Sequence, residues 1–155
     1  MIEKIEHADA LLAMIIRAEY RQPGISFFTP PELSQQLAFM RHPDDKTIDP
    51  HVHNPVHREV QYTQEVLLIR SGRLRVDFYT PEQEYIESTI LAAGDVILLA
   101  TGGHGFKTLG EVEMIEVKQG PYAGDEDKTR FTPISDDEVR YKDGAVQEVQ
   151  SLDAD

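Results

Sequence analysis

The chain has 155 residues with 28 acidic and 15 basic side chains, so its net charge is −13 when the histidines are neutral. This length suits one domain with short extensions, and an apolar content of 40% is enough for a buried core. The acidic balance argues against nucleic acids and anionic membranes as partners, because both are polyanions. The absence of cysteine excludes disulfides, thiolate metal ligands and cysteine nucleophiles.

Residues 1–24 are expected to form an N-terminal helical segment. Between His7 and Tyr20, apolar residues recur at the spacings of three and four that are typical of an amphipathic helix. These residues are Ala10, Leu11, Met14, Ile15 and Ala18. Pro23 and Gly24 would end the helix. The first residues lack the basic and apolar parts of a secretory signal, so we expect a soluble, cytoplasmic protein.

Residues 25–122 change to short segments separated by turn residues, a pattern that predicts β-strands. The predicted strands are 25–29, 35–42, 51–54, 65–70, 73–80, 85–91, 96–100, 104–109 and 113–119. Strands of this length and spacing indicate an antiparallel sandwich or a small barrel. Residues 123–155 form an acidic C-terminal extension. Four of its side chains are expected to form a short strand or to pack on the body: Val139, Tyr141, Val146 and Val149.

The alternation of side chains within the strands predicts which faces are buried. Residues 73–79 have one apolar face for the core and one polar face that we expect in water. The polar face contains Arg73, Arg75, Asp77 and Tyr79. Residues 66–69 and 96–99 are apolar on both faces, which predicts a cover on each side. We expect the second cover to be another subunit or the N-terminal helix, and we favour a homodimer.

Three of the six histidines lie within seven residues: His51, His53 and His57. On a strand, the first two would share a face, with Cα atoms roughly 6.5–7 Å apart. Both imidazoles could then bind one metal ion, since histidine is a common ligand of zinc, copper, iron and nickel. The alternative is a pair of solvent-exposed histidines in a polar stretch.

Two further residues are candidates for the same site. Glu65 begins an apolar strand and shares a face with Leu67, so it lies either at the mouth of a barrel or in the interior. In the interior, its carboxylate needs a partner such as a metal ion. The alternative is a strand-end glutamate in water. His104 lies among glycines that permit close backbone approach, and it shares a face with Phe106. The alternative for His104 is a histidine in a turn.

The order of these residues resembles the two conserved motifs of the cupin superfamily. The sequence has His-x-His, then Glu65 with Gly72 seven positions later, then Gly-Asp-x-Ile-x-x-x-x-Gly-x-His ending at His104. Cupins are small antiparallel β-barrels of the jelly-roll type. The resemblance covers about residues 35–119 and is closest to small single-domain bacterial cupins of unsettled activity. It implies that one divalent metal ion is bound by His51, His53, Glu65 and His104.

The sequence departs from the cupin pattern in two places. The gap between His53 and Glu65 is eleven residues instead of three or four, which we assign to a loop. Ala100 stands where proline is common, and His104 comes one residue early. These departures make His57 a possible substitute for Glu65 as the remaining ligand.

The resemblance implies a metalloprotein whose pocket binds a small polar molecule, such as a sugar or an organic acid. Three imidazoles and one carboxylate suit iron, manganese, nickel, zinc or copper. Because the mouth of a β-barrel is a usual place for small ligands, we expect several side chains to line it. The candidate lining residues are Arg58, Tyr62, Phe106, Glu116 and Tyr122.

Three functions remain open from the sequence. The first is a metal-dependent enzyme, either a dioxygenase or an isomerase. The second is a non-catalytic binding or sensing module in which the metal ion fixes the ligand. The third is a metal-free nucleotide-sugar epimerase or isomerase, with histidine as the base and tyrosine as the acid. No residue in the sequence discriminates between the first two.

Overall fold

The computed structural model describes residues 1–142, and its regular structure is almost entirely antiparallel β-sheet. The strands are β1 (Ile2–His7), β2 (Ala10–Ile16), β3 (Gly24–Phe27), β4 (Ala38–Arg41), β5 (Glu65–Ser71), β6 (Arg73–Tyr79), β7 (Tyr85–Ala92), β8 (Val96–Leu99), β9 (Gly103–Thr108) and β10 (Glu113–Lys118). Two short 3-10 helices follow, Gly124–Asp127 and Asp136–Glu138. The prediction of an all-β protein is confirmed.

The strands form one sheet of five, one of three and one of two. The five-stranded sheet has the order β1-β2-β8-β5-β10, the three-stranded sheet has the order β7-β6-β9, and β3 pairs with β4. The main core lies between the two larger sheets, where Ile15, Leu67 and Ile97 of the first meet Val76 and Phe78 of the second. Within residues 1–142 the sheets remain separate and do not close into a barrel.

The helix predicted between residues 7 and 20 is wrong, because β1 and β2 form a hairpin there. Ala8 and Asp9 make the turn with φ of 47° and 66°, and positive φ at both residues is typical of a two-residue hairpin turn. Residues 11–16 are continuously apolar. Such a run matches the helical spacing, but it also matches a strand that is covered on both faces, which is the position of β2 in the sheet.

The second cover of the five-stranded sheet is the β3–β4 hairpin with its flanking residues. Of the two predicted covers, another subunit or the N-terminal helix, the helix is absent. Phe28, Leu37 and Phe39 belong to a second apolar cluster with Met14 and Leu98, which point away from the main core. Val66 and Val96 are also packed against this cluster. The cover therefore comes from the same chain, but it ends near β5 and leaves the outer face of β10 exposed.

The polar face of β6 is buried, so the prediction that it lies in water is wrong for Arg75, Asp77 and Tyr79. The C-terminal extension covers it. The ring of Phe131 lies 5.0 Å from that of Tyr79, measured between centroids, and the backbone N–H of Ile134 donates to the Tyr79 hydroxyl at 2.9 Å. The outer face of the three-stranded sheet is therefore closed by this part of the extension.

Further along the extension, Tyr141 makes an isolated parallel bridge with Ser88 of β7. The packing predicted for Val146 and Val149 lies outside the described residues. Among the helices of residues 1–142, none has the length and apolar character needed to cross a membrane.

Candidate functional site

Glu65 and His104 come together at one end of the main core, although they belong to different sheets. Glu65 is the first residue of β5 and lies on the same face as Leu67, which is in the core. His104 of β9 is paired with Phe78 of β6, whose side chain is also in the core. Nε2 of His104 lies 3.2 Å from Oε2 of Glu65, and Glu65 is only 8% exposed.

A lysine and an aspartate extend this pair. Lys118 of β10 is directly opposite Glu65 of β5, and its Nζ lies 3.3 Å from Oε1 of Glu65. The same Nζ lies 2.7 Å from Oδ2 of Asp127. The hydroxyl of Thr63 donates to Oδ1 of Asp127 at 2.7 Å. These contacts connect the end of the segment before β5 to β10 and to the C-terminal extension.

The contacts determine the charges at neutral pH. The hydrogen bond with His104 lowers the pKa of Glu65, although burial opposes the shift, and Lys118 adds to the lowering. The hydrogen bond to Asp127 raises the pKa of Lys118. In turn Lys118, together with Thr63, lowers the pKa of Asp127. Glu65 and Asp127 are therefore anions and Lys118 is a cation.

The C-terminal extension packs against the start of β9 through Phe131. A Cβ atom at Gly103 would lie 3.1 Å from Cζ of Phe131 and 3.2 Å from Cβ of Tyr79. Both distances are tighter than ordinary van der Waals contact, so an added Cβ would require these neighbours to shift. Glycine at this position therefore lets Phe131 and Tyr79 pack closely against the backbone at the start of β9.

His51 and His53 lie in an exposed segment, and the strand predicted at residues 51–54 is absent. Pro50 and Pro55 flank the histidines, and proline does not donate a ladder hydrogen bond. The two imidazole rings are nevertheless neighbours, with centroids 5.2 Å apart, and Nδ1 of His51 is 3.1 Å from the carbonyl oxygen of Asp49. The predicted proximity is thus present without the predicted strand.

The four predicted ligands are found as two pairs, His51 with His53 and Glu65 with His104. No group of three or more His, Asp or Glu side chains in residues 1–142 is arranged to hold one metal ion. His57, the possible substitute, is exposed in the same segment as His51 and His53.

Two of the predicted lining residues face the open side of the sandwich. Phe106 is on the His104 face of β9, and the two ring centroids are 5.3 Å apart. Glu116 is opposite Leu67, which places its side chain on the same face of the five-stranded sheet as Lys118. Both are exposed, and each lies on an edge strand, β9 of the three-stranded sheet and β10 of the five-stranded sheet.

The other three predicted lining residues lie outside the strands. Tyr62 lines a small cavity of about 200 Å³ together with Thr63, Gln119 and Asp127. Arg58 is exposed, and its guanidinium donates to the carbonyl of Val56 at 3.3 Å. Tyr122 is also exposed.

Lys118 and Asp127 were not among the residues predicted for the site. The alternation in strand 113–119 could have indicated Lys118, because it places Lys118 on the same face as the predicted lining residue Glu116. The pairing of Lys118 with Glu65 depends on the register of β10 against β5, which the sequence does not state.

No family model matches the chain, and neither does any curated protein or solved structure. The fold and the site define an all-β sandwich protein with a buried carboxylate, an imidazole and an ammonium group at its open end.

Proposed function

We propose that the protein is a cupin-type jelly roll that binds one divalent transition metal ion through His51, His53, Glu65 and His104. The supporting observation is the 3.2 Å separation of Nε2 of His104 and Oε2 of Glu65. Two ligand atoms that each lie about 2.0–2.2 Å from one zinc-like ion are about 2.8–3.6 Å apart at right-angled or tetrahedral geometry. The separation of these two donor atoms fits a shared ion.

The position of Lys118 is compatible with this assignment. Its ammonium group is near Oε1 of Glu65, whereas His104 is near Oε2. One carboxylate oxygen therefore faces the lysine and the other faces the imidazole. Because a buried carboxylate is costly without partners, both contacts stabilise its charged form.

The remaining two ligands would come from the exposed segment. This segment is anchored beside Glu65, since the Gln64 side chain accepts hydrogen bonds from the Ser34 hydroxyl and the Gln35 backbone N–H, each at 2.9 Å. An extended chain spans up to about 3.3–3.6 Å per residue, so the eleven residues between His53 and Glu65 give ample reach. Ion binding would then hold the segment against the open end of the sandwich.

When bound, the ion would supply Lewis acidity toward a small polar ligand. Phe106 and Glu116 face the open side and would contact that ligand, with Arg58, Tyr62 and Tyr122 as further candidates from the irregular segments. Whether the ligand is converted or only bound separates the enzyme from the sensing module.

Metal content tests the proposal. Wild type, Glu65→Gln, His53→Ala and His104→Ala would be purified without added metal, dialysed against each of the five metals and analysed for metal per chain. His7→Ala is the matched control, because His7 is an exposed histidine at the end of β1. We expect equimolar metal in wild type and His7→Ala and little in the three site variants. Equal metal in wild type and His104→Ala would refute the proposal.

A second candidate function is metal-free acid–base catalysis. The observation that favours it is again the His104–Glu65 contact, because a carboxylate beside an imidazole can orient a general base and stabilise its protonated form. Chelator-treated protein that still catalyses exchange of a sugar α-proton, and loses this activity in His104→Ala, would support it. An inactive apo protein that regains activity with metal would exclude it.

A further inference from the structure

The five-stranded sheet ends in a free edge. β10 pairs with β5 on one side, and within residues 1–142 no strand pairs with its other side. All residues of β10 are exposed except Lys118, which is half-buried. A free edge presents unpaired backbone N–H and C=O groups and is a template for a further strand.

The hydrogen-bond pattern of β10 indicates which of its backbone groups point toward β5 and which point toward the free edge. The N–H of Gln119 donates to the carbonyl of Gln64 at 2.9 Å, directly beyond the pair Lys118–Glu65. In an antiparallel ladder, hydrogen-bonded and non-hydrogen-bonded pairs alternate. The odd-numbered residues from 115 to 119 therefore use their backbone groups toward β5. The free edge is formed by the N–H and C=O groups of Met114, Glu116 and Lys118.

The outer face at this edge is apolar and uncovered. Ile115 is opposite Leu68, and Val117 is opposite Val66. Val66 packs under the β3–β4 hairpin, whereas Leu68, Ile115 and Val117 are 37%, 47% and 58% exposed. An exposed apolar patch beside unpaired backbone groups is typical of an interaction surface.

We propose that two copies of the chain pair β10 with β10 about a two-fold axis, which joins their five-stranded sheets into one. Side-by-side antiparallel strands of identical sequence require a two-fold axis perpendicular to the sheet, so residues of the same face must be opposite each other. An axis at Ile115 meets this condition and lets Met114 of one copy exchange backbone hydrogen bonds with Glu116 of the other.

The sequence favours an axis at Ile115 over one at Glu116. An axis at Glu116 would place two glutamates directly opposite each other, and like charges in that position are destabilising. The axis at Ile115 instead places Ile115 against its own copy and Val117 against Glu113. This axis also forms an apolar row across the outer face of the joined sheet. The row consists of Leu68 and Ile115 of one copy followed by Ile115 and Leu68 of the other.

Cysteine cross-linking tests the register, because the wild-type chain contains no cysteine. Opposite residues in a non-hydrogen-bonded pair have Cα atoms about 4.5 Å apart, within the range of about 4.4–6.8 Å for disulfides. Ile115→Cys should therefore form a covalent dimer on mild oxidation. Val117→Cys is the matched control, because four residues of strand would separate the two thiols by about 13 Å. Equal cross-linking of both variants, or none in Ile115→Cys, would overturn the register.

Sedimentation of metal-free protein tests the interface itself, independently of the metal site. We expect a dimer for wild type and a monomer for Ile115→Lys. Glu116→Pro should also be monomeric, since it removes an N–H that faces the free edge and none that binds β5. Phe27→Lys, another exposed apolar position, should remain dimeric. A monomeric wild type, or a dimer that Phe27→Lys dissociates and Ile115→Lys does not, would overturn the proposal.

Discussion

Two ion pairs of the same sandwich have opposite surroundings. Arg75 and Asp77 of β6 form a double contact, with Nε to Oδ1 at 2.8 Å and a terminal guanidinium nitrogen to Oδ2 at 3.0 Å. The Ser88 hydroxyl also donates to Asp77, and Arg75 donates to Asp136 of the C-terminal extension at 2.8 Å. Asp77 is only 2% exposed. We call this pair closed, because its side chains are buried and contact residues of β7 and of the C-terminal extension.

The Glu65–His104 pair lies at the open end, and 28% of the His104 side chain is exposed. Glu65 and His104 belong to different sheets, whereas Arg75 and Asp77 belong to one strand. A closed pair whose groups already have partners has a structural role. An open pair with accessible donor atoms can take a new partner, and this is the physical basis of the proposed metal site.

The largest expected effect is on the closed pair. Asp77→Ala leaves Arg75 buried without its main partner, and removal of one member of a buried ion pair typically costs about 3–5 kcal/mol in the free energy of unfolding. Urea denaturation measures this cost. Glu82→Ala, an exposed acidic residue beyond β6, serves as the control and should change stability by less than about 0.5 kcal/mol. A loss as small as that of the control would show that the pair is not structural.

His53→Ala should separate folding from metal binding. His53 is exposed, so the free energy of unfolding of the metal-free variant should stay within about 0.5 kcal/mol of wild type. A metal concentration one hundred times the dissociation constant stabilises wild type by about 2.7 kcal/mol. Thermal unfolding with and without metal should show this gain for wild type and His7→Ala. The same gain in His53→Ala would remove that residue from the site.

The smallest effect is expected at Asp136, the outer partner of the closed pair. Lys107 and Arg75 lower the pKa of Asp136 from its usual 3.8. A lowered pKa in the folded state contributes stability above the unfolded pKa, and this contribution is lost as the pH falls through the folded value. The free energy of unfolding of wild type should therefore exceed that of Asp136→Asn at neutral pH, and the two values should converge in acid. A difference that is constant with pH would contradict this assignment.

The strands from β5 to β10 could be predicted from the sequence because alternation and glycine turns agree there. Residues 73–79 alternate regularly, and Gly72 and Gly94 mark turns with φ of 78° and 89°. The β1–β2 hairpin could not be predicted in the same way. Its turn at Ala8 and Asp9 contains no glycine, and the apolar run in residues 11–16 fits a helix and a doubly covered strand equally well.

The site was predictable only in part. Glu65 and His104 follow from motif spacing, and the structure brings their side chains together. Lys118 was missed because its contact with Glu65 depends on the pairing of strands that are far apart in sequence. The burial of Asp77 was missed because the alternation reports a polar face but not the segment that covers it.

X-ray absorption spectroscopy of metal-loaded protein reports the ligands of the bound ion and is therefore the decisive measurement for a shared metal site. We expect a mixed shell of imidazole nitrogen and carboxylate oxygen, with one imidazole fewer in His104→Ala and one fewer in His53→Ala. An identical spectrum in wild type and both variants would contradict the claim that separate segments bind one ion.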